Sequence, residues 1–212
     1  MARGFGIECD VQRTGDARAA VFHDWELDRL TDERGPLLRR PLADIEALAL
    51  AGSSDRIPSL ERLLAQVAGR APVLIELKSK RERRVAPLCL AVRRALDGYQ
   101  GHHAVMSFDP RVSRWFAVHA PRTPRGLVVT EEDDRGFAGR WVGGWRRHAA
   151  LWHARPDFLA YDVRDLPSRF AAAQRKRGLP VATWTVRSAE HRDRAAKHAD
   201  APIAEGAGLT DG

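Results

Sequence analysis

Two carboxylates, Glu8 and Asp10, are followed closely by His23 and Asp24. These residue types can hold a cation and move a proton. Gly6-Ile7-Glu8-Cys9-Asp10-Val11 reads as a strand, in which side chains alternate faces, so Glu8 and Asp10 project together and Cys9 points away. Paired carboxylates repel unless they are solvated or a cation lies between them. Ile7 and Val11 favour a buried strand, and burying two unpaired carboxylates is costly. That points to a divalent metal with oxygen ligands.

The link from Asp10 to His23 positions the histidine. Gln12-Arg13-Thr14-Gly15-Asp16 is a turn signal, and Ala19-Ala20-Val21-Phe22 is an apolar run. So short a link cannot join parallel strands, so the expectation is an antiparallel hairpin. Folding it about Gly15 and Asp16 sets His23 roughly opposite Glu8. An imidazole beside a carboxylate pair is an acid/base arrangement. A structural histidine at a strand end is the plainer reading.

Apolar strands alternate with helical segments through the rest of the chain. Strands are expected at Glu8, Glu76, Ser107, Val128, Ala160, Trp184 and Ile203, leaving aside the hairpin return at His23. Helices are expected over 42–51, from Pro58-Ser59 onward, and over about 82–97, 110–119, 141–153, 166–177 and 188–198. Such alternation argues for a parallel sheet with helices around it. Seven strands are one short of a TIM-type (β/α)8 barrel, whose site lies at the carboxyl ends of its strands. Polar residues stand at such ends around the series: Glu8/Asp10, Glu76/Lys78, Ser107, Tyr161/Asp162, Trp184 and Glu205. An open doubly wound sheet is the alternative, though it concentrates its ligand groups at one switch point.

Composition narrows the function classes. The 212 residues are 44% hydrophobic and 30% charged, as in a soluble globular protein of one domain. No apolar run reaches membrane-spanning length, and no signal-peptide layout opens the chain. Cys9 and Cys89 fall in apolar surroundings and read as core thiols, which suits a reducing, cytoplasmic compartment. The net charge of +7 is spread over scattered arginines, with only four lysines. Clusters such as Arg81-Glu82-Arg83-Arg84 read as solvated helix faces, and no basic stripe with interleaved aromatics suggests nucleic acid.

The motifs, in order, carry a resemblance. Gly6-x-Glu8-x-Asp10-Val11, Val21-Phe22-His23-Asp24, Ile57 to Leu60, Ile75-Glu76-Leu77-Lys78, Met106-Ser107-Phe108-Asp109 and Thr183-Trp184-Thr185-Val186 together resemble the glycerophosphodiester phosphodiesterase family. The resemblance runs from about Gly6 to Gly206. It implies a TIM-type barrel, a divalent cation (Mg²⁺ or Ca²⁺), and hydrolysis of a glycerophosphodiester to sn-glycerol 3-phosphate and an alcohol. By position it implies Glu8, Asp10 and Glu76 as metal ligands and His23 as one of two acid/base histidines. Lys78 would contact the phosphate, and Trp184 would line the glycerol pocket.

Independent readings stand beside these. Glu76 and Lys78 could form an inward-facing ion pair, Trp184 could pack in the core, and Ser107 and Phe108 read as barrel filling. The family pattern opens on a strand ending His-Arg-Gly and a Glu-Asn loop, ahead of the Glu-x-Asp strand. The sequence from Met1 to Gly4 holds neither. The expectation is therefore a barrel missing its first strand and, with that strand, the second histidine, a phosphate-binding arginine and another metal-side glutamate. An open barrel would expose sheet edges that an oligomer could bury. The alternatives are an inactive phosphate- or metal-binding remnant of the same fold, or another metal-dependent barrel phosphoesterase.

Overall fold

The computed structural model describes residues 4–80, 82–132 and 137–209, with side chains left aside for 137–142. Arg81 of the basic cluster lies outside the described residues. The chain divides into two compact units. The first runs through Val105 with residues 118–123, and the second takes the remainder.

In the first unit, β1 (Ile7–Arg13) and β2 (Ala19–Val21) form the expected antiparallel hairpin. Its loop is closed by Thr14 N–H donating to the Arg18 carbonyl at 2.9 Å. Thr14 Oγ1 also donates to Asp16 Oδ1 at 2.5 Å. Gly15 N–H donates to the Arg40 carbonyl at 2.7 Å, and a Cβ there would come within 3.2 Å of the Leu38 and Arg40 carbonyls. Only glycine fits that approach without a shift.

The register pairs Val11 with Val21 and Arg13 with Ala19. The turn therefore centres on Asp16, and His23 would fall opposite Cys9, one residue from the expected Glu8. The cause is a five-residue loop, 14–18, with Ala17 in the left-handed region (φ 60°). The ladder stops at Val21, so His23 stands in the loop beyond it.

β3 (Val73–Leu77) lies parallel to β1, with Asp10 directly opposite Glu76. Val73, Ile75 and Leu77 are buried on its other face. Truncating fully buried Ile75 to alanine is expected to cost about 2–5 kcal/mol, read by urea denaturation. A separate cluster of Ala20, Phe22, Leu27, Leu37, Leu42, Ile45 and Ile57 packs beneath the hairpin return.

Three expected helices change shape in this unit. α1 covers only Leu42–Ala47, because Leu48 turns extended (φ −77°, ψ 132°). Leu48 and Leu50 then follow strand-like alternation, and both pack on that cluster. α2 (Leu60–Val67) starts after Pro58, with Ser59 Oγ as its N-cap accepting from Arg62 N–H. α3 (Ala86–Leu96) begins later than residue 82, with Pro87 in its first turn, where its missing N–H costs nothing.

The chain passes between units at β4 (His103–Ser107) and α4 (Pro110–His119). In the second unit β5 (Arg125–Val129), β6 (Phe158–Asp162), β7 (Val181–Val186) and β8 (Ala201–Ala204) pair in parallel in that order. Helices α5 (Phe137–Ala154), α6 (Arg169–Lys176) and α7 (Ala189–His198) connect them. α6 starts after residue 166 because Ser168 caps it, accepting from Phe170 and Ala171 N–H. Each of the seven expected strand positions falls within a strand. Among the described residues no helix is long and apolar enough to cross a membrane.

Candidate active site

Alternation puts Glu8, Asp10 and Gln12 on one face of β1 and Glu76 on the matching face of β3. Lys78, just past the end of β3, continues that face, and its N–H donates to the Val11 carbonyl at 3.0 Å. One carboxylate oxygen from each of Glu8, Asp10 and Glu76 lies within 4.8 Å of the others. The expectation of a buried face needs correction. Glu8 is exposed, Asp10 half-buried and only Glu76 buried, because the strand's buried side is that of Cys9 and Val11. The Cys9 thiol is pushed up by burial, with the Glu8 and Asp10 charges adding to it, so it stays protonated.

Lys78 supplies a cation between the carboxylates. Its Nζ lies 3.0 Å from Asp10 Oδ1 and 3.1 Å from Glu76 Oε1. Glu76 Oε1 is buried, and among the described residues it has no partner besides this ion pair. Burial pushes the Glu76 carboxyl up, against the pull of Lys78. Burial alone would lower Lys78, but the Glu76 and Asp10 charges outweigh it and hold the ammonium up. Asp10 and Glu76 share the single Lys78 ammonium. An all-oxygen donor set with a buried oxygen lacking a hydrogen bond fits a hard divalent cation.

His23 is 61% exposed, and its Nδ1 meets Asp24 Oδ1 at 2.7 Å. Asp24 is gripped from behind by Arg29, through Nε at 2.6 Å and Nη2 at 2.8 Å. Hydrogen bonds from Arg29, and then His23, hold the Asp24 carboxyl at about 2. The accepting carboxylate assigns the proton to Nδ1 and fixes the ring. His23 is not among the groups that converge with the three carboxylates.

Gln12 was not singled out by sequence. It is 3% exposed, and its Nε2 donates to the carbonyls of Phe22 (3.1 Å), His23 (3.2 Å) and Asp24. It clamps the loop that carries the histidine. The available signal was its position, two residues beyond Asp10 on the same face.

Trp184 lies in the second unit, half-buried on β7 opposite Asp162. Its Nε1 donates to the Ala160 carbonyl at 2.9 Å, and its ring meets Phe108 edge-on at 5.4 Å. Phe108 is 45% exposed and does not fill a core, whereas Ser107 is buried as expected. The remaining histidines are exposed or half-buried.

Alternating strands and helices, with acids gathered on strand faces, define the class of α/β enzymes that work from the ends of parallel strands. The family pattern of the glycerophosphoryl diester phosphodiesterases matches residues 2–203, and the chain belongs to that family, a class of phosphoric diester hydrolases. Solved structures share its fold. A protein of Silicibacter pomeroyi described as a glycerophosphoryl diester phosphodiesterase has TM-score 0.78 and 22% identity, over 96% of this chain and 80% of that one. An Oleispira antarctica phosphodiesterase, solved in complex with the product sn-glycerol-3-phosphate, has TM-score 0.77 and 20% identity, over 94% and 81%. The Thermotoga maritima glycerophosphodiester phosphodiesterase has TM-score 0.72 and 19% identity, over 94% and 80%. No curated protein matches the sequence.

Proposed function

We propose that this chain hydrolyses glycerophosphodiesters to sn-glycerol 3-phosphate and an alcohol, using Mg²⁺ or Ca²⁺ held by Glu8, Asp10 and Glu76. The observation that carries the reading is the convergence of those three carboxylates, one with a buried oxygen that lacks a hydrogen bond. A bound divalent cation would supply Lewis-acid stabilisation of phosphoryl charge.

The chain's own residues do the rest. Lys78 offers its ammonium to a non-bridging phosphate oxygen, where charge grows in the transition state. The oxygen of water adds to phosphorus, the ester bond to the leaving alcohol breaks, and the water proton ends on that alcohol. His23 serves this transfer as an acid/base group, with Nδ1 bound to Asp24 and Nε2 as the exchanging nitrogen. Trp184, whose Nε1 is engaged by the Ala160 carbonyl, keeps the glycerol-pocket role that the family resemblance implies.

Gln12 is a positioning residue in this scheme. Gln12→Ala is expected to lower kcat by roughly 10- to 100-fold through misplacement of His23. KM and the melting-temperature rise with added cation should change little. A parallel loss of cation-induced stabilisation would assign Gln12 to the metal cluster instead.

The function is tested by incubating the protein with glycerophosphocholine and Mg²⁺ or Ca²⁺ and measuring release of sn-glycerol 3-phosphate. Release that stops on chelation is expected. No release with either cation overturns the reading and leaves a non-catalytic member of the family.

A further inference from the structure

A cavity of about 290 Å³ opens in the first unit, and Gln12 and Lys78 of the carboxylate-bearing face are among its walls. The other charged walls are Arg13, Arg83 and Arg84. Among the described residues no carboxylate is in its walls, though Asp10 and Glu76 flank Lys78. Lys78 is already paired with Asp10 and Glu76, but Arg13, Arg83 and Arg84 around one small space repel one another unless an anion joins them.

Trp25, half-buried in the wall, organises part of this surface. Lys80 Nζ stands 4.7 Å from its ring centroid, and the Arg83 guanidinium 5.5 Å. Each contact is a cation–π attraction, which holds the basic segment against the loop that follows β2. The start of α3 forms another wall, through Val85 and Pro87. That helix has no acidic residue in its first turn and no side-chain cap, so its positive end adds to the cationic field. The volume is near the lower end for small-molecule pockets, enough for one short polar group.

We infer that this cavity receives an anionic group borne by the leaving alcohol, so the preferred substrates are glycerophosphodiesters whose alcohol carries a second phosphate or a carboxylate. The inference rests on the hydrolytic reading above, because the cavity shares Lys78 with the site proposed to hold the scissile phosphate. A substituent one ester bond from that phosphate enters the cavity. A quaternary ammonium headgroup would meet the like charges of Arg13, Arg83 and Arg84 there.

The test compares bis(glycerophospho)glycerol, whose alcohol carries a second phosphodiester, with glycerophosphocholine. Both are titrated into the full chain by calorimetry with chelator present, so that binding is read without turnover. The anionic diester is expected to bind about tenfold tighter, the sum of modest, partly exposed charge contacts. The ratio should fall to about one in Arg83→Gln/Arg84→Gln. It should also shrink on the unaltered chain as ionic strength rises from about 0.01 M to about 1 M, which cuts the screening length from about 30 Å to 3 Å. Equal affinity for the two diesters, or a ratio that survives the double substitution or high salt, overturns the inference. Failure of both diesters to be hydrolysed with cation added would sink the hydrolytic reading, while the binding ratio still decides what the cavity takes.

Discussion

Glu76→Gln is expected to remove divalent-cation binding and to lower turnover on the order of 10³-fold, as when several kcal/mol of transition-state charge stabilisation is withdrawn. The substitution keeps the side chain's size and removes its charge. Its effect on the cation-free chain runs the other way. Burial raises the folded-state pKa of Glu76 above its unfolded value. A raised carboxyl favours folding below the unfolded pKa, and that contribution is lost as pH rises through the folded pKa. At neutral pH the ionised, buried carboxylate therefore costs stability, and a neutral glutamine relieves the cost. Lys78 keeps Asp10 as a partner at 3.0 Å. The melting temperature without cation should hold or rise.

With cation the order reverses. A ligand at about 100 times its Kd stabilises the folded state by about 2.7 kcal/mol, and Glu76→Gln should forfeit that gain. Thermal melts with and without Mg²⁺ or Ca²⁺ read both signs at once. A variant that still gains stability from cation would remove Glu76 from the ligand set.

The parts of this site differ in how far sequence alone could reach them. The carboxylate trio was legible because strand alternation is a fixed period of two, so Glu8 with Asp10, and Glu76 with Lys78, fall on common faces in any register. Parallel pairing then sets Asp10 against Glu76. The histidine was less legible. Its place depends on loop geometry, and one extra residue in the turn, with Ala17 at positive φ, moved it off the expected partner. Arg29 and Gln12 were not legible as site residues at all. Arg29 reaches Asp24 across a loop with no periodicity, and Gln12 acts on backbone carbonyls that carry no sequence signature. The helix expected over 42–51 failed for a related reason. Leu48-Ala49-Leu50-Ala51 suits a helix by propensity, yet burial of Leu48 and Leu50 against a core already formed by Leu27 and Ile57 selects the extended form. Tertiary packing, which is not local, decided it.

His23→Ala is expected to lower kcat by about 10²- to 10⁴-fold, the range for loss of a positioned acid/base group. Cation-induced stabilisation should persist, since the carboxylates are untouched, and this separates His23 from Glu76 in a single pair of measurements. Asp24→Asn should act in the same direction but less, by loosening the ring rather than removing it. The dyad's acid limit follows from Asp24. Its folded carboxyl sits at about 2, below the ordinary carboxylate value near 4. A depressed carboxyl stabilises the fold above its unfolded pKa, and the contribution is lost as pH falls through the folded value. The Asp24 carboxylate is therefore held ionised through neutral pH and loses its charge only in strong acid. The Asp24→Asn chain should lose activity at every pH above that limit rather than shift its acid edge. If His23→Ala keeps full turnover, the proton transfer belongs to another group and His23 is a structural loop residue.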